Sequence, residues 1–339
     1  MSVKRPYLWN LIILALALIL SAAVGTVFTP PAALARLLLE RLPGITPGGE
    51  LPETFSIILY QIRLPHTALV ALSGAALAGS GAAYQGLFRN PLADPYLIGV
   101  ASGAGLGAVL AMSIHWPNRL FGLYTIPAAA FIGALLTVAI VYALAYRGGT
   151  VPTTTLILSG VAVGSFATAL TSYLMLRSQG EVRRALVWLV GGASLNGWEP
   201  VLASLPYIML GLGVLLVSGH ALNVLQFGEN QAQQLGLQVG RTRTILILAA
   251  SLTTAAAVSF SGIIGFVGLI VPHLVRLLWG PDYHHLVPLS ILGGASILLL
   301  ADLLARIVLA PQELPVGVIT ALAGAPFFLW VLRRSQQGG

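Results

Sequence analysis

Long apolar runs of membrane-spanning length recur along the whole 339-residue chain. A window of about 20 mainly apolar residues is long enough to cross the hydrocarbon core of a bilayer as a helix. Hydrophobic residues make up 57% of the sequence and charged residues only 8%, whereas charged residues form about 25% of a soluble domain. The sequence therefore predicts an all-α polytopic membrane protein. We place ten spans near residues 8–28, 56–88, 95–112, 120–146, 153–177, 201–219, 244–261, 263–279, 286–310 and 315–332.

The two ends of the chain indicate its orientation. The apolar run that follows Lys4 and Arg5 is longer than the apolar core of a signal peptide, so we expect it to remain as the first helix. An even number of spans puts both termini on one side. Basic residues at both ends, with Arg333 and Arg334 at the second, make that side the cytoplasm by the positive-inside rule. Charge alone does not decide the orientation, because other arginines then fall on or near the outer side: Arg36, Arg41, Arg63, Arg119, Arg177, Arg183, Arg184 and Arg306.

The longest polar interruption, which we name the polar segment, runs from Phe227 to Arg243 and reads FGENQAQQLGLQVGRTR. Its apolar residues Ala232, Leu235 and Leu237 are spaced to share one side of a short surface helix. We expect a soluble partner to bind this helix; the alternative is a solvated loop. The chain is then one membrane domain, 1–339, made of six spans in 1–219, a cytoplasmic segment at 220–243 and four spans in 244–332.

Motifs for enzymatic chemistry are absent from the sequence. It contains no G-x-x-x-x-G-K-[ST] phosphate loop and its single lysine is Lys4, so the chain does not hydrolyse ATP by a Walker mechanism. It has no cysteine, and no serine–histidine–aspartate order or metal-ligand cluster emerges. His284 and His285 follow Asp282 in a predicted solvated turn. The basic residues lie singly between spans, which does not indicate a nucleic-acid surface. We therefore expect no enzyme and no cofactor.

Asp302 is the one clear carboxylate within a span. A buried carboxylate is the usual coupling group of a secondary transporter driven by protons or sodium ions. Asp302 also lies four residues before Arg306, which favours an ion pair on one face of the same helix. An ion-coupled secondary transporter using Asp302 is therefore the alternative function.

The fifth span contains many small and hydroxylated residues between Ser159 and Tyr173. This composition suits a helix beside a wide, partly wet pathway, and we place Ser159, Gly160 and Gly164 on that path. Gly160 and Gly164 also form a G-x-x-x-G pair, for which close helix packing is the alternative explanation.

The two halves of the chain resemble one another faintly. In each half an arginine, Arg63 or one of Arg241 and Arg243, opens a long helix that precedes a short, proline-broken segment. Irregular backbone at membrane depth is stable only where protein or water covers it. The broken segments should therefore lie inside the bundle. With four helices after each arginine and opposite starting sides, the halves predict two pseudo-repeats in inverted orientation, as in many transporters.

Three ordered blocks of the sequence resemble one family. They are Arg63–Gly107, beginning RLPHTALVALSG, Gly228–Leu237, GENQAQQLGL, and Ser261–Leu332, beginning SGIIGFVGLIVPHL. These blocks are similar to the FecCD-type permeases, the membrane subunits of ABC importers for ferric siderophores, haem and cobalamin. The resemblance covers most of the chain.

The resemblance implies a type II ABC importer permease fold and a set of partners. Two copies of the permease form a homodimer around a central path in the cytoplasmic membrane of a bacterium or archaeon. Two ATPase subunits, which bind the ATP, attach to the cytoplasmic face. A periplasmic or lipid-anchored binding protein delivers the ligand, and transport proceeds by alternating access.

The polar segment resembles the family's cytoplasmic coupling helices, which seat in a groove of the ATPase. The residues that match are Glu229, Gln231, Ala232, Leu235 and Gly236. We expect the small and apolar side chains to fill the groove, while Glu229 meets an arginine or a helix N-terminus of the partner.

Similar permeases present arginines on the outer face to glutamates of the binding protein, which sets register and association rate. The matching residues here are Arg63, His66 and Arg306, and His66 stands where the family has an arginine. A histidine with an ordinary pKa near 6.5 is mostly uncharged at neutral pH, so this departure weakens the site or makes it pH-sensitive. For Arg63 an interfacial anchor is the alternative.

The family's inner gate matches Asn90 and Leu92 after the second span, and Thr153 and Thr154 at the start of the fifth. Side chains of this size close a path by contact across the dimer axis. Asn90 before a proline is equally typical of a turn, and the two roles are compatible.

Outside the fifth span, Arg183 and Arg184 are candidates for screening ligands, because arginine suits the carboxylates of haem or of an anionic siderophore. The alternative is that they pair with Glu181 or anchor an interfacial helix.

Overall fold

The computed structural model describes residues 4–25, 53–114, 119–120, 123–146, 148, 151–178, 180–192 and 197–337. Within them lie thirteen helices and one short antiparallel hairpin, β1 Arg119–Leu120 with β2 Leu123–Tyr124. Helix α2 is continuous through Glu53–Ile57, a π-helical stretch Ile58–Arg63 and Leu64–Leu87. The other helices are α1 Lys4–Ala23, α3 Val100–Ser113, α4 Thr125–Ala145, α5 Thr153–Arg177, α6 Val182–Leu189, α7 Glu199–Val217, α8 Gly219–Leu225, α9 Glu229–Gln234, α10 Val239–Ser261, α11 Val267–Trp279, α12 Tyr283–Ile307 and α13 Val316–Gln337.

Ten of these helices fall on the ten predicted spans, so the all-α polytopic fold is confirmed. Seven, namely α1, α2, α4, α5, α7, α10 and α12, are long and apolar enough to cross a membrane, and α3, α11 and α13 are shorter apolar helices. The predicted span 95–112 begins with a 3₁₀ turn, Pro95–Ile98, before α3. The span predicted from 120 becomes helical only at Thr125, after the hairpin. The end of the predicted first span, 26–28, lies outside the described residues.

Helix α2 is the centre of the bundle. Every residue from 73 to 88 is buried, because α10, α11 and α12 pack around it. Glycines allow this close approach: a methyl group at Gly74 would overlap the carbonyl of Gly294 on α12, and one at Gly81 would overlap that of Gly268 on α11. Small residues at helix crossings are the usual means of bringing backbones together in membranes.

Helix α5 lies at the periphery of the chain. Only 17% of its most apolar stretch is buried, against 72% for α10 and 61% for α12. It packs on α3 and α4 on one side only. The opposite side, which includes Leu158, Phe166 and Tyr173, is exposed.

The polar groups of the bundle gather at its two ends. At one end, the hydroxyl of Tyr7 near the start of α1 lies 3.1 Å from Nδ1 of His285 near the start of α12. At the other end, the last carbonyls of α1 meet Arg63 and Arg306. The polar segment follows α8, which packs against the start of α12, so it belongs to the end that contains Tyr7.

Candidate functional site

The polar segment contains the predicted surface helix. Helix α9, Glu229–Gln234, follows Gly228 at φ 100°, and Gly236 at φ 87° turns the chain after it. Glycine adopts such positive φ values without the strain that a side chain would add. The amide of Leu237 donates to the carbonyl of Ala232 at 3.0 Å and closes the turn. The helix interpretation of the segment is confirmed.

The apolar side of α9 is divided between the chain and the surface. Ala232 is fully buried and Leu237 is half-buried against the core, whereas Leu235 is 66% exposed. Ala232 therefore attaches the helix to its own chain, and the prediction that it fills a partner's groove is wrong for this structure. Gln231, Leu235 and Gly236 remain on the exposed side, as a docking surface requires.

Arg243 attaches the start of α9 to the start of α5. Its guanidinium is buried; Nη2 donates to Oε1 of Glu229 at 2.6 Å and Nη1 donates to the carbonyl of Val151 at 2.7 Å. Glu229, expected to meet a partner's arginine or helix, thus already has a cation from its own chain. Nearly half of the Glu229 side chain remains exposed.

The segment after α2 forms a tight turn. The amide of Leu92 donates to Oδ1 of Asn90 at 2.9 Å, and the amide of Ala93 donates to the Asn90 carbonyl at 3.1 Å. An asparagine side chain that binds the backbone two residues on is the usual stabiliser of such a turn. The turn interpretation of Asn90 is confirmed, and its role in a gate stays a prediction. Thr153 and Thr154 are the first two residues of α5, and Thr154 is exposed.

A groove of about 730 Å³ runs between α5 and the segment 94–102. Gly160 packs on the carbonyl of Leu97, and a methyl group at Gly164 would lie 3.1 Å from Oγ of Ser102. The packing explanation for this glycine pair is therefore confirmed, and both glycines also form part of the groove wall. The remaining α5 wall consists mainly of small and hydroxylated residues: Val161, Ser165, Thr168, Ala169 and Ser172. Ser159 is half-buried outside this wall.

The predicted docking arginines are buried at the end of the bundle remote from the polar segment. Arg63 donates to the carbonyls of Ala22 and Ala23 at 2.8 and 2.9 Å. Arg306 donates to the Val24 carbonyl at 2.9 Å and to Oγ of Ser21 at 3.0 Å. Both cations therefore satisfy the last carbonyls of α1, where the helix dipole favours positive charge. Arg63 and Arg306 thus have partners within their own chain, and their role in docking the binding protein stays a prediction.

Asp302 lies between two basic groups. Its Oδ2 is 3.0 Å from Nε of Arg306, and its Oδ1 is 3.0 Å from Nε2 of His66. The predicted i, i+4 pair on α12 is confirmed, and His66 on α2 joins it from the side. His66 is the partly exposed member, at 36% of its side chain. Together with Arg63, the three residues line a cavity of about 430 Å³.

Arg183 and Arg184 lie on α6, the short helix after α5, and both are exposed. Nη1 of Arg184 is 3.7 Å from Oε2 of Glu181, three residues earlier. The alternative that an arginine here pairs with Glu181 is thus supported for Arg184. A ligand-screening role for either residue stays a prediction.

A buried polar network on α2, α11 and α12 was missed by the sequence analysis. Arg276 donates to Oε1 of Gln85 at 3.0 Å and to the hydroxyl of Tyr283 at 3.1 Å. Gln85 in turn donates to the Leu269 carbonyl at 3.1 Å. A buried amide in an otherwise alanine- and glycine-rich span is the signal that could have indicated this network, because buried polar groups require partners.

The turn before α12 is more ordered than the predicted solvated loop. Asp282 accepts from Nδ2 of Asn223 at 2.7 Å and from the amide of His284 at 3.0 Å, so it caps α12 and attaches it to α8. The hydrogen bond from Asn223 lowers the pKa of Asp282 below its usual value. In the part of the chain that the structure describes, no three histidine, aspartate or glutamate side chains are grouped to hold a metal ion.

A bundle of ten apolar helices, a hydroxyl-lined groove on a peripheral helix and an exposed polar helix at one end together define a multi-pass membrane transport subunit. Residues 13–334 match the FecCD transport family, to which this chain belongs. It is a permease subunit of an ABC importer with no ATPase domain of its own, and this class of subunit works with ATPase and binding-protein partners.

Named relatives and a solved structure agree with this family. The chain is 50% identical to the cobalamin import system permease protein BtuC of Halobacterium salinarum over 282 residues, which are 83% of this chain and 75% of the relative. It is 40% identical to the hemin transport system permease protein HmuU of Yersinia pestis over 287 residues, 83% of this chain and 84% of the relative. A transporter assigned to the metal-chelate type of ABC transporters, solved in an inward-facing conformation, superposes with a TM-score of 0.81 at 30% identity, over 98% of this chain and 99% of that one.

Proposed function

We propose that this chain forms the translocation path of an ATP-driven importer that moves a metal chelate, either a cobalamin, a haem or a ferric siderophore, into the cell by alternating access. The similarity to a cobalamin permease and to a hemin permease supports this ligand class. Two copies pair around the path, two ATPase subunits bind the cytoplasmic face, and a binding protein delivers the ligand from outside.

The observation that best supports the proposal is the uncovered face of α5. This face combines exposed apolar side chains such as Phe166 with the hydroxyls of Ser165, Thr168 and Ser172 along one groove; Thr168 and Ser172 donate to carbonyls of their own helix at 2.9 and 3.0 Å. Polar side chains in a membrane usually face protein or a water-filled cavity. A second copy of the chain opposite this groove encloses it and makes it a path.

The exposed part of the polar segment, Glu229–Gly236 without Ala232, is the surface that we assign to the ATPase. Leu235 is the large apolar side chain on it, and it fits the apolar anchor of a helix seated in a groove. The gate candidate Asn90 is close by, because the guanidinium of its neighbour Arg89 lies 3.4 Å from where a methyl group at Gly228 would stand. Movement of the ATPases therefore reaches the gate over a short distance.

The proposal also places both termini of the chain on the cytoplasmic side. Basic residues at each end support this orientation by the positive-inside rule. The contact of Tyr7 with His285 supports a cytoplasmic N-terminus, because the first turns of α1 and the polar segment lie at the same end of the bundle. In this orientation Arg63, Arg306 and the 430 Å³ cavity lie at the outer end.

Reconstitution tests the proposal. Vesicles that contain the permease and its ATPase are expected to accumulate cyanocobalamin, haemin or a ferric siderophore only when the binding protein is outside and ATP is on the side of the ATPase. Uptake that persists without any ATPase would refute it. Vesicles with the permease alone are the control for leakage.

A further inference from the structure

Arg243 is the only described side chain for which hydrogen bonds to both α9 and the residues just before α5 are observed. Its two terminal nitrogens reach Glu229 at 2.6 Å and the Val151 carbonyl at 2.7 Å. The Arg243 side chain is 6% exposed and Val151 is 4% exposed, so the bond to the Val151 carbonyl is shielded from water, whereas the Glu229 carboxylate is 46% exposed. A planar guanidinium holds two acceptors in fixed directions, which a flexible cation does not.

The helix at one end of this bridge is fixed to α10. Ala232 is buried at the junction, and the amide of Thr242 donates to the carbonyl of Gln238 at 2.9 Å as α10 begins. The turn through Gly236 is closed by short hydrogen bonds within the segment. A displacement of α9 by a bound protein is therefore passed to the second turn of α10, where Arg243 lies.

The other end of the bridge is the entry to α5. Val151 precedes Pro152, and the carbonyl of Pro152 accepts from the amide of Leu156 in the first helical turn. A second contact supports the same junction, since the hydroxyl of Tyr142 on α4 lies 2.7 Å from Oγ1 of Thr244 on α10. The start of α10 is thus bonded to both sides of the connection between α4 and α5.

We propose that Arg243 is a positioning residue that transmits movement of the ATPase-binding helix α9 to the gate residues Thr153 and Thr154. This inference rests on the proposed function, because it takes α9 as the ATPase contact and the start of α5 as part of the path. Arg243 contacts neither ligand nor ATP. It acts through Glu229 on one side and the Val151 carbonyl on the other.

A single thiol at the gate provides the test. The chain has no cysteine, so Thr154→Cys, at an exposed position, is the only site that a maleimide labels on the permease. The assembled complex of permease and ATPase is labelled with and without a non-hydrolysable ATP analogue. We expect the analogue to change the labelling rate when Arg243 is present. With Arg243→Gln the ATPase still co-purifies, but the analogue-dependent change is lost.

Two further variants separate transmission from folding. Arg241→Gln alters an exposed arginine two residues earlier on α10 and is expected to keep the native response. Glu229→Gln removes the charge on the other side of the bridge and is expected to lose the response, and the double variant Glu229→Gln with Arg243→Gln is expected to be no worse than either single change. Such non-additivity is the signature of residues that act as one unit.

The outcomes decide between the inference and its basis. A response of native size in Arg243→Gln overturns the inference. Loss of ATPase binding in both single variants also overturns the inference, because the ion pair then serves assembly alone. The inference is likewise overturned if a complex with Arg243 intact binds the ATPase but its labelling rate does not change with the analogue. A Thr154→Cys permease with Arg243 intact that binds no ATPase instead contradicts the proposed function.

Discussion

The substitution Asp302→Asn tests what the buried carboxylate at the outer end of α12 does. Asparagine keeps the size of the side chain and an oxygen that accepts from His66, but it removes the negative charge beside Arg306. Arg306 then retains its bonds to Ser21 and Val24 at 2.9 to 3.3 Å while its guanidinium stays buried without a counter-ion. Removing one partner of a buried ion pair costs about 3–5 kcal/mol.

The retained carbonyl contacts place the expected loss at the lower end, about 3 kcal/mol. For a chain of this length, the corresponding fall in the midpoint of thermal unfolding is on the order of 5 °C. The chain has six tryptophans, so their fluorescence reports unfolding of the purified permease in detergent. Glu199→Gln is the matched control, because Glu199 pairs with Arg119 on the surface, where an ion pair contributes little.

The same variant separates the two transport classes. In an ATP-driven importer, Asp302→Asn permease that is kept folded still takes up ligand with ATP and needs no proton gradient. In an ion-coupled carrier that uses Asp302, uptake depends on the gradient and is abolished by the substitution. An unfolding midpoint equal to the native one would refute the structural role, and gradient-dependent uptake would refute the transport class.

Three further predictions follow from single positions. Leu235→Asp should abolish co-purification of the ATPase with no change in the unfolding midpoint of the permease, whereas Ala232→Asp should lower that midpoint, because it buries an unpaired charge. Gly81→Ala should destabilise the permease by about 1–3 kcal/mol, because the added methyl group pushes α2 away from the Gly268 carbonyl on α11. Tryptophan fluorescence measures the unfolding midpoint. A midpoint equal to the native one would contradict the close crossing of α2 and α11. Arg63→Ala should lower the free energy of unfolding by about 2–4 kcal/mol, because it removes two charged hydrogen bonds to α1. The unfolding midpoint should fall with it. An unchanged midpoint with lost affinity for the binding protein would instead support the docking role.

The spans and the local contacts could be predicted from the sequence because they depend on neighbours in the chain. Apolar length determined the ten helices, the Asn-Pro pair determined the turn at Asn90, and a spacing of four determined the pair of Asp302 with Arg306. The two inverted pseudo-repeats stay a prediction. The polar segment is too short for its apolar spacing to decide whether Ala232, Leu235 or Leu237 faces inward, so Ala232 was assigned to the wrong side.

The long-range contacts could not be predicted because they depend on the packed bundle. Arg63 and Arg306 both bind the end of α1, and Ser21 there is 285 residues from Arg306 in the sequence. From the sequence alone, their positive charge suited an exposed docking site equally well. The bridge from Arg243 ends on a backbone carbonyl at Val151, and a carbonyl has no sequence signature. His66 stands where an arginine was expected, and its neighbour Asp302 becomes visible only in three dimensions.

The most direct test of the account is the initial rate of ligand uptake into vesicles with no ion gradient, measured with an active ATPase and with a hydrolysis-inactive one. Cyanocobalamin, haemin and a ferric siderophore are the probes, each with its binding protein outside. The account predicts sustained uptake of at least one probe with the active ATPase and ATP, and none above leakage with the inactive one. Equal uptake with both ATPases would contradict the claim that this permease receives its driving force from a partner at the polar segment.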